Sequence, residues 1–174
     1  AQAYRRILRD YPQDADLKEA LCHALDRQGY LHQQSGRYAE AERCYQEAIQ
    51  FQPQQPALYY NLGNALRELG KAKEAAQQYQ RAIQLNPNDA DAYNNLGNVQ
   101  RELGDLQAAI NAYETALKLN PELYHAKVHL VHQKQHACDW QGLDDAINQI
   151  KSWVHTKPEA QISPFAFLAM PNTS

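Results

Sequence analysis

The sequence has few cysteines and no excess of basic residues. Its three cysteines, Cys22, Cys44 and Cys138, form no C-x-x-C pair, so we expect reduced thiols packed as small apolar side chains, without disulfides or a zinc site. Lysine and arginine number 17 against 20 aspartates and glutamates, a net charge of −3. This balance argues against nucleic acid as a partner, because phosphate backbones require a basic surface.

Long apolar runs and catalytic signatures are also missing. No stretch approaches the roughly 18 apolar residues that a membrane-spanning helix needs, and the opening AQAYRRILRD does not resemble a signal peptide. We therefore expect no membrane partner and a cytoplasmic location. No glycine-rich phosphate loop and no nucleophile elbow is visible, so no catalytic residue is predicted.

What the sequence does contain is an internal period of 34 residues. The segment NLGNALRELG at 61–70 returns as NLGNVQRELG at 95–104. A period of this length indicates a repeat protein in which neighbouring units stack. The residues that keep the interval are Gly29, Gly63 and Gly97; Gly36, Gly70 and Gly104; Ala41, Ala75 and Ala109; Tyr45, Tyr79 and Tyr113; Ala48, Ala82 and Ala116; and Pro53, Pro87 and Pro121.

One copy of the repeat predicts two antiparallel helices. The first covers about 56–69 and stops at Gly70, which suits the left-handed conformation that closes a helix. The second covers about 72–85 and stops before Pro87, because proline disfavours helix in the residue that precedes it. A single pair cannot bury its own apolar face, so the pairs must stack into an all-α solenoid.

The spacing of these residues resembles the tetratricopeptide repeat, and the residues that carry the resemblance are Tyr59, Leu62, Gly63, Leu66, Ala75, Tyr79, Ala82 and Pro87. The resemblance implies a right-handed superhelical solenoid of antiparallel helix pairs, with the first helices on its concave wall. The predicted segments are the end of a preceding repeat at 1–14, a repeat with a first helix longer by two turns at 15–55, regular repeats at 56–89 and 90–123, a degenerate repeat or capping helix pair at 124–157, and an apolar tail or the start of a downstream domain at 158–174.

Two asparagines per copy lie opposite the apolar side of the first helix. An asparagine amide carries a donor and an acceptor, so it matches the alternating N–H and C=O groups of an extended peptide whatever the peptide's side chains. We therefore predict a groove for extended polypeptide lined by Asn61, Asn64, Asn95 and Asn98. The alternative is that these asparagines are only a soluble surface.

Charged residues also occupy the asparagine face. Arg27 takes the place of Asn61 in the earlier copy, while Glu68 and Glu102 lie beside the asparagines. Some tetratricopeptide repeat proteins bind a terminal carboxylate through groove lysines and arginines. The acidic residues on this face disfavour such a carboxylate clamp here.

The segment YHAKVHLVHQKQH places four histidines on one helical face, within about 60°. His129 and His132 take the places of Asn95 and Asn98, so we add His125, His129, His132 and His136 to the predicted groove. Histidines one turn apart can also ligate zinc. Since no carboxylate or thiol joins them at a diagnostic spacing, no metal site is predicted.

The C-terminal part resembles a known junction. HQKQHACDW at 132–140 and the ISPF of the tail are similar to the region where the repeats of the O-linked N-acetylglucosamine transferase and SPINDLY-like family, especially its bacterial branch, meet a glycosyltransferase domain. The resemblance implies a parent enzyme that moves a sugar from a nucleotide sugar such as UDP-GlcNAc to serine or threonine of proteins. Animal members carry histidines around the junction proline, where this chain has Ser163, Phe165 and Ala166, so no catalytic residue is carried over and no cofactor is expected in this chain.

The sequence thus predicts a protein–protein interaction module, the substrate-recognition arm of an O-GlcNAc-transferase-like enzyme. A free-standing scaffold or co-chaperone-type adaptor is the alternative. Whether the parent protein is an enzyme stays open, and the apolar tail predicts a surface for self-association.

Overall fold

The computed structural model describes residues 1–11, 13–136, 145, 147–148 and 151–152, and it divides the chain into two compact units, Ala1–Asn88 and Asp89–Ser174. The described part contains helices and no strand, so the predicted all-α fold class is confirmed. The helices of the first unit are α1 (Gln2–Asp10), α2 (Ala15–Gln34), α3 (Tyr38–Phe51), α4 (Pro56–Glu68) and α5 (Ala72–Leu85). Those described in the second unit are α6 (Ala90–Glu102), α7 (Leu106–Leu119) and α8 (Tyr124–His136).

The helices pack as consecutive pairs. In the first unit, α2 packs against α3 and α4 against α5, while α3 also contacts α4 and α1 contacts α2. In the second unit, α7 packs against both α6 and α8. The predicted antiparallel pairs are therefore present in each unit.

A glycine turn ends the first helix of each pair. At the end of α4, the N–H of Gly70 donates to the carbonyl of Arg67 and the N–H of Lys71 donates to that of Leu66, both at 2.9 Å. Gly70 has a φ of 73°, and the glycines one period before and after it have φ values of 71° and 82°. This left-handed turn satisfies the last carbonyls of the helix, and it ends α4 at Glu68, one residue earlier than predicted.

The segment 15–55 begins with a long helix. α2 has 20 residues, whereas α4 has 13. The helix begins at a side-chain cap, because the carboxylate of Asp14 accepts a hydrogen bond of 3.0 Å from the N–H of Leu17. The extension lies at the start of the helix, since α2 ends in the same glycine turn as α4.

A fully buried tyrosine fills the space between the two helices of each regular pair. Tyr45, Tyr79 and Tyr113 are all 0% exposed. A Cβ atom on Gly63 would lie 2.7 Å from Cε1 of Tyr79, and the equivalent glycines of the other two pairs stand at the same 2.7 Å from their tyrosines. The helix backbone thus rests directly on the tyrosine ring, as the sequence predicts.

The first helices carry polar side chains that are partly buried, among them Gln28, His32 and Gln100. In α2, the Nε2 atoms of Gln28 and His32 lie 3.3 Å apart and share a hydrogen bond. In α6, the Oε1 atom of Gln100 is buried and has no hydrogen-bond partner among the described residues. The Nδ1 atom of His32 is likewise buried without a partner among the described residues, so both units carry such an atom.

Two of the cysteines are buried free thiols, as predicted. Burial raises the pKa of the thiols of Cys22 and Cys44. Ile147 is also buried. None of the helices that the structure describes combines the length and apolar character needed to cross a membrane. The predictions for Cys138, for most of the second helix of 124–157 and for the tail at 158–174 lie outside the described residues.

Candidate functional site

Asn61 is a half-buried residue of α4 that bonds to the neighbouring helix α2. Its Nδ2 donates a hydrogen bond to Oδ1 of Asp26 at 3.2 Å. The nitrogen end of the amide is therefore turned toward Asp26, and the oxygen forms its other end. The partner Asp26 directly precedes Arg27, the residue that takes the place of Asn61 in the earlier copy.

Asn64 and Asn98 are half-buried and accept hydrogen bonds from the buried tyrosines. The hydroxyl of Tyr79 donates to Oδ1 of Asn64 at 2.7 Å, and the hydroxyl of Tyr113 donates to Oδ1 of Asn98 at 2.8 Å. Burial raises the pKa of Tyr113 to about 12, so its hydroxyl keeps its proton at neutral pH. In Asn64 and Asn98 the amide oxygen therefore faces the buried tyrosine, whereas in Asn61 the amide nitrogen faces its partner.

The remaining residues of the predicted groove in α2, α4 and α6 are more peripheral. Asn95 is half-buried on α6, while Glu68 and Glu102 are the exposed last residues of α4 and α6. Glu68 forms an ion pair with its neighbour Arg67 at 3.0 Å. Arg27 is exposed and lines a hollow of about 460 Å³ on the first unit.

The histidines of α8 fall into two classes. His125 and His136 are exposed, whereas His129 and His132 are half-buried. The ring of His129 stacks on that of Tyr113 with centroids 5.6 Å apart. Burial, and then the charge of Arg101, lowers the pKa of His129 to about 4. His129 and His132 are therefore the two histidines that resemble the half-buried asparagines, and both of their rings are neutral at pH 7.

No metal cluster is found among the side chains that the structure describes, because nowhere there do three or more histidines, cysteines or carboxylates converge on one point. Burial lowers the pKa of His132 as well, followed in effect by the charges of His136 and Arg101. This positive surrounding opposes a cation at the histidine face. The face is better suited to hydrogen bonds with neutral groups.

Three residues that contact the predicted asparagines escaped the sequence analysis as functional residues, namely Asp26 and Tyr79 in the first unit and Tyr113 in the second. The two tyrosines were predicted only as core. The sequence does contain a signal for the two tyrosines, because each lies 15 residues after the asparagine that its hydroxyl contacts. Asp26 carries a weaker signal, since it lies 35 residues before Asn61, one residue away from the repeat period.

Comparison with known families identifies the repeat. A family model described as TPR repeat matches residues 29–70 and 63–104, and a model described as tetratricopeptide repeat matches residues 90–123. Together the matches cover 29–123, more than half of the chain. No curated protein matches the sequence.

Several solved structures are similar to this chain. The crystal structure of MamA has a TM-score of 0.72 at 24% identity, covering 91% of this chain and 86% of that one, and shows the fold alone. The first TPR of Spaghetti (RPAP3), bound to the HSP90 peptide SRMEEVD, has a TM-score of 0.66 at 28% identity and covers 67% of this chain and 93% of that one. A mutant O-GlcNAc transferase of Thermobaculum terrenum has a TM-score of 0.63 at 29% identity, covering 67% of this chain and 22% of that one.

Proposed function

Because the chain belongs to the tetratricopeptide repeat family, we propose that it is a protein–protein interaction module that binds extended polypeptide along its first helices, with one candidate surface on α4 in the first unit and another on α6 in the second. The observation that carries the proposal is the pair of oriented amides on α4, with Asn61 held by Asp26 and Asn64 held by Tyr79. Side chains that are already ordered lose little conformational entropy when a ligand binds. Surface asparagines kept only for solubility would have no need of such partners.

The histidines of α8 extend this proposal within the second unit. His129 and His132 are half-buried and uncharged at neutral pH, so they offer neutral donor and acceptor groups as Asn98 does. Each such hydrogen bond contributes about 1 kcal/mol net. A few of them support an affinity in the micromolar range or weaker.

The similar structures support a polypeptide partner. The Spaghetti domain, of which this chain covers 93%, is solved with an HSP90 peptide. Its peptide SRMEEVD is acidic, whereas Asp26 sets a carboxylate directly against Asn61 in this chain. We therefore propose that the ligand is recognised through its neutral backbone and carries no requirement for acidic side chains.

The setting that we propose is the substrate-recognition arm of an O-GlcNAc-transferase-like glycosyltransferase. It is supported by the resemblance at 132–140 and in the tail, and by the similarity to the Thermobaculum terrenum transferase, of which the chain spans 22%. Sugar transfer from a nucleotide sugar such as UDP-GlcNAc belongs to this proposal. The Spaghetti domain supports the alternative, a scaffold or co-chaperone-type adaptor. The reading frame beyond Ser174 separates the two, since a long α/β region supports the enzyme and a stop codon supports the adaptor.

The test of peptide binding is a variant in which Asn61, Asn64, Asn95 and Asn98 are all replaced by alanine. The probe is a fluorescein-labelled pool of short random peptides, and binding is followed by fluorescence anisotropy at neutral pH. Since each lost hydrogen bond removes about 1 kcal/mol, we expect the affinity to fall by roughly tenfold or more. Circular dichroism must show that the variant is still folded.

A matched control replaces four exposed amides on the second helices of the pairs by alanine, namely Gln50, Gln77, Gln80 and Gln107. This variant should bind the pool as the unmodified chain does. A second pool, methylated on alternate backbone nitrogens, should bind weakly because it lacks the N–H groups. A folded asparagine variant that binds as tightly as the unmodified chain would refute the proposed function.

A further inference from the structure

We propose that a hollow between α6 and α7, within the second unit, is a binding site for the guanidinium of an arginine side chain that belongs to a partner polypeptide. The hollow has a volume of about 260 Å³, and α6 contributes Tyr93, Leu96 and Gln100 to its lining. Tyr93 lies about 200° around the helix from Asn95, and Leu96 lies at the same angle from Asn98. The hollow is therefore separate from the predicted groove, and the inference goes beyond the proposed function.

The hollow is open because α7 has small side chains where α5, one period earlier, has long ones. The side chains that become smaller are Glu74 to Ala108, Gln78 to Ala112 and Arg81 to Thr115. All three of the small residues line the hollow. The tyrosine of the first helix reflects this difference, since Tyr59 is only 9% exposed whereas the equivalent Tyr93 is half-buried.

In the first unit, an arginine of the chain itself occupies the place of Thr115. The guanidinium carbon Cζ of Arg81 lies 5.8 Å from the centroid of the Tyr59 ring, within the range in which the face of an aromatic ring attracts a cation. In the pair α2–α3, the residue equivalent to Arg81 is Glu47, which binds the guanidinium of Arg5. Both pairs of the first unit thus hold a guanidinium at this position of the repeat.

The pair α6–α7 has no such group of its own. Thr115 turns its hydroxyl to its own helix and donates to the carbonyl of Asn111 at 2.8 Å. Tyr93 packs against the core of the unit and also lines the hollow. Among the residues that the structure describes, no cationic group lies over its ring. The ring is therefore open to a cation that comes from another molecule.

Gln100 supplies a hydrogen-bond acceptor for this cation. It takes the place of Leu66, and its Oε1 atom is buried without a partner among the described residues. A turn of the amide toward the hollow breaks no hydrogen bond of this oxygen, and a charged N–H donor would satisfy it. A guanidinium offers a planar face to the ring and N–H groups to the amide, whereas an ammonium is a strongly hydrated point charge. The lining therefore favours arginine over lysine.

Lys118 limits the strength of this site. In α5, Gln84 accepts a hydrogen bond of 3.2 Å from Nη1 of Arg81, and Lys118 stands at the equivalent place in α7. Its positive charge opposes a guanidinium nearby, although the net charge of −3 on the whole chain favours a cationic partner. We expect a single arginine to bind in the millimolar range.

The test is a titration of the ¹⁵N-labelled full chain with N-acetyl-arginine methylamide. It is followed in ¹H–¹⁵N correlation spectra at the side-chain amide of Gln100 and the backbone amides of Ala108 and Ala112. We expect saturable shifts at these groups. The lysine analogue and the uncharged citrulline analogue should bind at least about fivefold more weakly. Equal affinities for the three probes, or the absence of saturable shifts at these groups, would overturn the proposal.

Thr115→Arg gives the second unit the arginine that Arg81 provides in the first. The new side chain should cover Tyr93 and lower the affinity for the arginine probe by roughly tenfold or more. The matched control, Thr115→Ser, keeps the hydroxyl and the hollow and should bind as the unmodified chain does. Lys118→Gln removes the opposing charge and restores the acceptor of α5, so the affinity should rise by about twofold or more.

Gln100→Leu separates binding from folding. It introduces the residue that α4 has at this place, so urea denaturation should show no loss of stability, while the loss of the acceptor should lower the affinity by about threefold or more. A folded Gln100→Leu or Thr115→Arg variant that binds the probe as the unmodified chain does would show the inference to be wrong. The alanine variant of the four groove asparagines should keep its affinity for the probe, so the inference and the proposed function fail separately.

Discussion

Gly63 and Tyr79 form one packing unit, in which the backbone of the first helix touches the face of the buried ring. A Cβ atom on Gly63 would lie 2.7 Å from Cε1 and 2.9 Å from Cδ1 of Tyr79. Because Tyr79 is 0% exposed, the ring has no empty space into which it could retreat. The absence of a side chain at position 63 is therefore a requirement of the fold.

We predict that Gly63→Ala destabilises the protein although alanine favours helix. Overpacking costs about 1–3 kcal/mol, whereas the gain in helix propensity is at most about 1 kcal/mol, so the free energy of unfolding should fall by about 1–2 kcal/mol. Urea denaturation followed by circular dichroism measures it. In the background of Tyr79→Leu, which removes most of the ring, the same glycine change should cost less. A stabilised Gly63→Ala variant would contradict the packing described.

Tyr113 should make the fold sensitive to alkali. Burial raises its pKa from 10.0 to about 12 in the folded chain, so the unfolded chain loses this proton first. The buried phenol therefore contributes about 2–3 kcal/mol to the free energy of unfolding. This contribution is fully present below pH 10 and is lost as the pH rises to about 12. The free energy of unfolding of Tyr113→Phe, measured over the same range, should decline less steeply. Parallel curves for the two proteins would show that the phenol is not buried as described.

His129 should make the fold sensitive to acid. Its pKa is lowered from 6.5 to about 4, so the unfolded chain takes up a proton before the folded chain does. The difference in pKa corresponds to about 3 kcal/mol of stability, which is present above pH 6.5 and is lost as the pH falls toward 4. We expect His129→Asn to flatten the curve of unfolding free energy in that range. Gln80→Asn, a change at an exposed residue without an ionisable side chain, should leave the slope unchanged.

The chain should show no preference for a terminal carboxylate. The peptide SRMEEVD and the same peptide with an amidated C-terminus should bind with affinities that agree within about twofold, because Asp26 and Glu68 oppose an anion near α4. Arg27→Ala should not change either affinity. Isothermal titration calorimetry of both peptides provides the comparison, and a strong preference for the free acid that Arg27→Ala removes would establish a carboxylate clamp.

The sequence was sufficient to predict the helix pairs because their boundaries depend on local signals. Gly70 adopts the left-handed turn that its position predicts, and α5 ends at Leu85 just before Asn86-Pro87. The contact between Gly63 and Tyr79 could also be predicted from the sequence, since only a residue without a side chain leaves room for an aromatic ring between the two helices. Such features follow from one repeat and its neighbours in the chain.

The partners of the asparagines could not be predicted in the same way. Repeat alignment equates Asn61 with Arg27, but the contact made is with Asp26, because helices of adjacent repeats meet across their faces and not at equivalent positions. The sequence also placed four histidines on one face of α8, and only tertiary packing against Tyr113 distinguishes the half-buried His129 from the exposed His125. The peptide contacts of these residues stay a prediction.

The position of each orienting partner has a consequence for how such an array can grow. Tyr79 and Asn64 both lie within 56–89, so duplication of that gene segment would copy the amide together with the hydroxyl that directs it. Asn61 depends on Asp26 in the segment before it. A copy inserted elsewhere would therefore keep the contact between Asn64 and Tyr79 but lose the partner of Asn61. Evolutionary lengthening of the array would therefore copy the contact between Asn64 and Tyr79 intact, whereas each new contact of the Asn61 type would need a suitable aspartate to arise separately in the preceding segment.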